Sequence, residues 1–215
     1  VAAYRVGQSM ISFRVLVREN GPFLRLFEDL GLGFDAVSDP THVVDWNELL
    51  RTPAGRPFER AEKLDTKLQQ TLLNLPFVDG TPEEKSLATR SLLRGNTFLL
   101  PAGEKIAAAM ERPQAEIDQV IARVGQVNGD IGVEGVPLWL YLLVEGEVIG
   151  RENPDGTFTP GEGLGPVGAT IVAEVMIGLM EMDDRAYLGA NRNWSPRPEW
   201  NSLGKMITVA QPPLP

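Results

Sequence analysis

The sequence predicts a mainly α-helical unit with short β-strands, and three observations carry that expectation. Helix start signals recur along the chain, at Asp39-Pro40 and at Thr81-Pro82. The stretch PLWLYLLVEGEVI (137–149) is almost wholly apolar over its first eight positions, as a buried helix would be, and residues 165–181 are apolar nearly all round. The run Ser12–Val17 (SFRVLV) is β-branched enough for a short strand before the turn at Asn20-Gly21-Pro22.

Taken in order, residues 2–11 read as a helix, with Ala3, Val6 and Met10 on one face and Arg5 and Gln8 on another. Residues 39–51 (DPTHVVDWNELLR) carry a helix start signal, with Asp39 as the expected N-cap and Pro40 at the first position. Ala61–Leu73 is amphipathic and stops before Pro76. In TPEEKSLATRSLLRG, Thr81 is the N-cap, Glu83 and Glu84 suit the positive end of the helix dipole, and Gly95 closes the helix. Helices are expected over 101–110 and 113–124, then over 137–149. A Gly/Pro-rich loop follows over 150–165 and a long helix over 165–181, with Met176, Met180 and Met182 filling the core. From about residue 185 the chain reads as an irregular, proline-rich tail. With no internal repeat and no loop long enough to insist on a boundary, residues 1–215 read as a single domain.

Composition narrows the function classes. A chain of 215 residues, 43% apolar and 23% charged, can bury a substantial core. Its net charge of −9 argues against nucleic acid and against an anionic membrane surface, because both are bound by clustered Lys and Arg. No run is long and apolar enough to suggest a membrane span. Without cysteine there is no disulfide framework, thiolate metal site or cysteine nucleophile, and the compartment stays open. The single histidine, His42, rules out multi-histidine metal sites and reads as a partly exposed residue in a first helical turn.

Two further patterns carry little chemistry. Glu145 and Glu147 stand two residues apart on a helix and point in different directions, so they do not form an acid/base pair. GEGLGPVG has neither the lysine nor the spacing of a phosphate loop, and Pro166 fits a helix start.

Three ordered segments carry a resemblance. AAYRVGQSM is similar to the proximal helix pattern A-[FY]-R-F-G-H-[ST]-[ML] of the animal-type haem peroxidases, and most nearly of their bacterial members. RSLLRGNTFLLPAGEKIAAAM resembles that family's later R-N-L-x-R-G stretch with its following L-P-[ST]-G. PLWLYLLVEGEVIG and GPVGATIVAEVMIGL resemble its closing segments. The resemblance spans roughly residues 2–195. It implies the proximal, C-terminal part of an animal haem-peroxidase-like helical fold, with haem as cofactor and peroxide-dependent oxidation as ancestral chemistry.

Carried over by position, the resemblance assigns Arg5 and Arg94 to the haem propionates; without it they read as solvated or salt-bridged helix arginines. Gln8 stands where the family has its iron-ligating histidine, and Ser91 where it has the asparagine that orients that histidine. Glutamine is a weak, neutral donor, and a serine has no imidazole N–H left to accept, so the two replacements make sense together. The resemblance therefore implies a degenerate peroxidase in which haem is weakly ligated or lost, or a pseudo-peroxidase that serves as a binding or structural module. The distal histidine and arginine of the family precede its proximal helix, so this chain alone is expected to be inactive. It is expected to work with an N-terminal peroxidase half or another protein subunit that covers its apolar face.

Overall fold

A computed structural model describes residues 2–31, 37–127, 135–191 and 193–210. Among the described residues the architecture is mainly helical, with two two-stranded antiparallel sheets. The chain divides into two compact units, one built from residues 1–11 and 62–182, the other from 12–61 and 183–215.

The first unit opens with a 3-10 helix, Ala3–Met10. Three residues per turn put Ala3, Val6 and Ser9 on one buried row. Met10, expected on that face, is only half-buried, and the helix is 3-10 rather than α. Over eight residues a period of 3.0 and one of 3.6 select nearly the same apolar positions, so the sequence alone does not separate them. The helix expected over 61–73 is reduced to α2 (Gln70–Leu73). Upstream of it, the Glu62 N–H donates to the Met10 carbonyl (3.0 Å) and the Leu64 N–H to that of Gly161 (2.8 Å), so long-range partners hold this backbone out of a helix. α1 (Trp46–Leu49) belongs to the second unit.

The Thr81 signal yields a capping box on α3 (Pro82–Lys85), with the Thr81 hydroxyl accepting from the Glu84 N–H and the Glu84 carboxylate accepting from that of Thr81. The helix does not run on unbroken. Ser86 leaves helical geometry and caps α4 (Leu87–Thr97), which passes through Gly95 instead of ending there. α5 (Gly103–Ala109) and α6 (Gln114–Val127) follow. On α6, Ile117, Val120 and Val124 form the buried stripe of an amphipathic helix.

α7 (Leu138–Val148) is the axis of this unit, buried at every position from Leu138 to Gly146. The 3-10 helix, α4, α5, α6 and α8 (Pro166–Met182) all pack against it. A helix apolar on every side is stable in water only when neighbours surround it, which is the place the sequence predicted. Gly103 is needed where α5 meets α7, since a Cβ there would collide with Tyr141. The Gly/Pro-rich loop holds a small hairpin, β3 (Arg151–Glu152) paired with β4 (Phe158–Thr159).

α8 departs from expectation. Its first turn is buried, but Val175, Met176, Ile177, Leu179 and Met182 are exposed, and Met180 is only half-buried. The methionine group fills no core, because apolar side chains bury only where another element covers them.

In the second unit, β1 (Arg14–Leu16) pairs with β2 (Phe23–Arg25) across the expected turn, where Asn20 takes a φ of 58°. Asp39 caps as foreseen, but only a 3-10 turn over Pro40–His42. Asp45 then accepts from the Asn47 N–H (3.0 Å) and starts α1, so a second cap splits the helix expected over 39–51. The segment beyond residue 185 is more ordered than the sequence suggested, with α9 (Tyr187–Ala190), a 3-10 turn at Pro198–Trp200 and α10 (Leu203–Ala210), which packs on α1.

Candidate functional site

The 3-10 geometry positions the first site residues. Ala2, Arg5 and Gln8 share a row, because residues three apart eclipse in this helix. Both long side chains are half-buried. Opposite them, α4 brings up Ser91, which is only 1% exposed and is the one fully buried residue of that helix.

The Ser91 hydroxyl joins the two. Its Oγ accepts from Arg5 Nη1 at 3.5 Å and donates to Gln8 Oε1 at 3.4 Å. These lie at the long end of hydrogen bonding, but they link residues 83 and 86 positions apart in sequence. Three of the four residues singled out from the sequence therefore meet. Arg94 does not join them: it is exposed on α4, its guanidinium 5.2 Å from the centre of the Phe98 ring.

The donors at this site can be matched against a haem. Gln8 offers a neutral carboxamide oxygen that already accepts from Ser91, and neither partner carries a basic nitrogen, so the set does not fit axial ligation of iron. Arg5 is different. Among the described residues no carboxylate lies within ion-pair distance of it, and one hydroxyl occupies a guanidinium with five N–H donors. What the arrangement can do is receive a carboxylate or similar anion. No group of three or more His, Asp or Glu side chains among the described residues could hold a metal ion.

Beside Ser91 opens a cavity of about 480 Å³, lined by α4, by Leu100 and Ala102, and by the start of α7 as far as Trp139. It was not legible in the sequence, since its walls come from three separate segments.

Glu145, discounted in the sequence as half of an acid/base pair, has a structural role that its spacing from Glu147 did not reveal. It is 1% exposed in the middle of α7, and its carboxylate caps α8. Oε1 accepts from the Val167 N–H at 2.9 Å and Oε2 from the Gly168 N–H at 3.2 Å. Gly165 is required at this approach, because a Cβ would collide with the carboxylate. Burial pushes the Glu145 carboxyl up to about 7, against the opposing pull of those two N–H donors. Burial, with the Glu145 charge behind it, also raises the phenol of Tyr141. A signal was present: α8 begins at Gly-Pro-Val-Gly with no Ser, Thr, Asp or Asn to cap it, so its acceptor had to come from elsewhere. Glu147, by contrast, pairs with Arg123 (2.6 Å) and accepts from Thr66, so the two glutamates do separate work as expected.

His42 sits in the 3-10 turn, partly exposed, with Nε2 3.9 Å from Asp39 Oδ2. In the same unit, buried Asp45 and Glu48 share the guanidinium of Arg56. Burial pushes the Asp45 carboxyl up, but the Asn47 donors and Arg56 outweigh it and hold it below its ordinary value. Among the described residues, no helix is long and apolar enough to cross a membrane.

Comparison with protein-family models and with characterised proteins finds no match for this chain.

Proposed function

We propose that the chain is the proximal part of a haem-peroxidase-like scaffold that no longer ligates iron and acts as a non-catalytic binding module. The observation that carries this reading is the Arg5–Ser91–Gln8 chain of hydrogen bonds. On the resemblance, Gln8 and Ser91 replace an iron ligand and its orienting partner, and here they satisfy each other instead. Arg5 keeps a guanidinium without a carboxylate partner among the described residues, which supports retained affinity for an anionic group at the propionate position. The exposed apolar half of α8 supports the expectation of a protein partner, an N-terminal peroxidase half or another subunit.

The test is titration with hemin, followed by absorption spectroscopy. The native chain should give no spectrum of axially ligated haem, whereas the double variant Gln8→His, Ser91→Asn should take up hemin with a shifted Soret band. A ligated spectrum from the native chain would overturn the loss of iron ligation. A double variant that stays folded and does not bind would sink the peroxidase resemblance itself.

A further inference from the structure

The second unit has a cavity of its own, of about 440 Å³, within the range of small-molecule pockets, which runs from about 300 to about 1,000 Å³. Trp194, Ser195, Pro196, Arg197, Trp200 and Met206 line it. Tryptophan is highly buried on average, yet Trp194 is 45% exposed and Trp200 40%. Contacts within the unit hold these walls in place. The Tyr187 ring of α9 packs on that of Trp194, with centroids 4.5 Å apart. Lys205 Nζ donates to the Pro198 carbonyl at 2.6 Å and to Asn201 Oδ1 at 2.8 Å, which ties the 3-10 turn carrying Trp200 to α10. Arg197 adds a cation to the lining and is exposed. Among the described residues no carboxylate lies within ion-pair distance of its guanidinium. The adjoining stretches outside the described residues, 192 and 211–215, contain no Asp or Glu.

We propose that this cavity binds a small, flat aromatic carboxylate, its ring against Trp194 and Trp200 and its carboxylate on Arg197. Two indoles with a thioether beside them favour a π-surface over a saturated one of equal size, because ring–ring and sulfur–ring contacts add to area burial. A guanidinium meets a carboxylate with two parallel N–H···O bonds, which an amide of the same shape does not accept. The site goes beyond the haem-peroxidase reading and stands apart from it: its lining residues belong to the second unit, and Arg5, Gln8 and Ser91 to the first.

Three probes of one carbon skeleton separate these claims in a ligand-observed NMR titration of the full chain: 2-naphthoate, 2-naphthamide and decahydro-2-naphthoate. The first should bind about tenfold more tightly than either of the others. Arg197→Gln should bring 2-naphthoate down to the affinity of 2-naphthamide while leaving the amide unchanged. Because Arg197 is exposed, that variant should keep its native circular dichroism and melting temperature. Trp200→Leu should erase the preference for 2-naphthoate over its saturated counterpart. Should Trp200→Leu fail to fold, the three probes on the native chain and on Arg197→Gln still decide. An amide that binds as tightly as 2-naphthoate, a saturated acid that does so, no saturable binding of any probe up to the millimolar range, or undiminished 2-naphthoate binding by a folded Arg197→Gln chain would each overturn the proposal.

Discussion

Glu145 places a carboxylate in the centre of an otherwise apolar helix, where two opposing effects act on it. The Val167 and Gly168 N–H groups favour the charged form, and burial disfavours it; burial prevails and lifts the carboxyl to about 7. The folded chain thus holds this proton more tightly than the unfolded chain, whose glutamate titrates near 4.5. The resulting stabilisation is present in full below about pH 4.5 and is lost as the pH rises through about 7. At about 1.4 kcal/mol per pKa unit, the loss is on the order of 3 kcal/mol. Urea unfolding followed by circular dichroism should show stability falling between pH 5 and 8, and Glu145→Gln should remove that part of the slope. A variant as pH-dependent as the native chain would assign the slope to other groups. A sequence shows that Glu145 lies among apolar residues; it does not show that two backbone donors 22 and 23 positions away converge on it.

At the scale of elements, α8 is divided in its environment although its sequence is uniformly apolar. Pro166, Val167 and Gly168 are buried beneath the Glu145 cap, Ile171 and Val172 are half-buried against the core, and Val175, Ile177 and Leu179 face outward. A helix with one covered half and one bare half opens from the bare end. Native-state hydrogen exchange should find the amides of Ile171 and Val172 slow and those from Ile177 to Met182 at least tenfold faster. Uniform protection along the helix would mean that something covers the second half in solution, as the proposed partner would. The opening helix gives the converse lesson. Its apolar spacing was legible, but the choice of 3-10 over α was not, and that choice puts Arg5 and Gln8 in one row facing Ser91.

At the scale of the whole molecule, the chain forms two compact units whose segments alternate along the sequence, with residues 12–61 and 183–215 flanking the larger middle part in sequence. The first unit is organised around α7, and Leu142 there is 0% exposed. Leu142→Ala should destabilise this unit by about 2–5 kcal/mol, the usual range for such a core truncation. Trp139 reports on the first unit, while Trp46, Trp194 and Trp200 belong to the second. Thermal melts of single-tryptophan variants should show the transition seen by Trp139 moving down more than that seen by Trp200. Equal shifts would show that the two units melt as one.

Strong local signals determined much of the helical plan by themselves: the Thr81 capping box, the Asp39 cap, the buried run at the start of α7 and the first strand before Asn20. These depend on neighbours within a few residues, so the order of amino acids contains them. Tertiary structure alone decided that the start of residues 61–73 is held out of a helix by long-range partners, and that the methionines of α8 lie open or half-open to solvent. It alone also brought Arg5, Gln8 and Ser91 together while leaving Arg94 outside, and formed the cavity beside Ser91 from three separate segments. The physical reason is shared. Burial, long-range hydrogen bonds and enclosed volume are properties of surfaces that meet, and local sequence does not specify which surfaces those are.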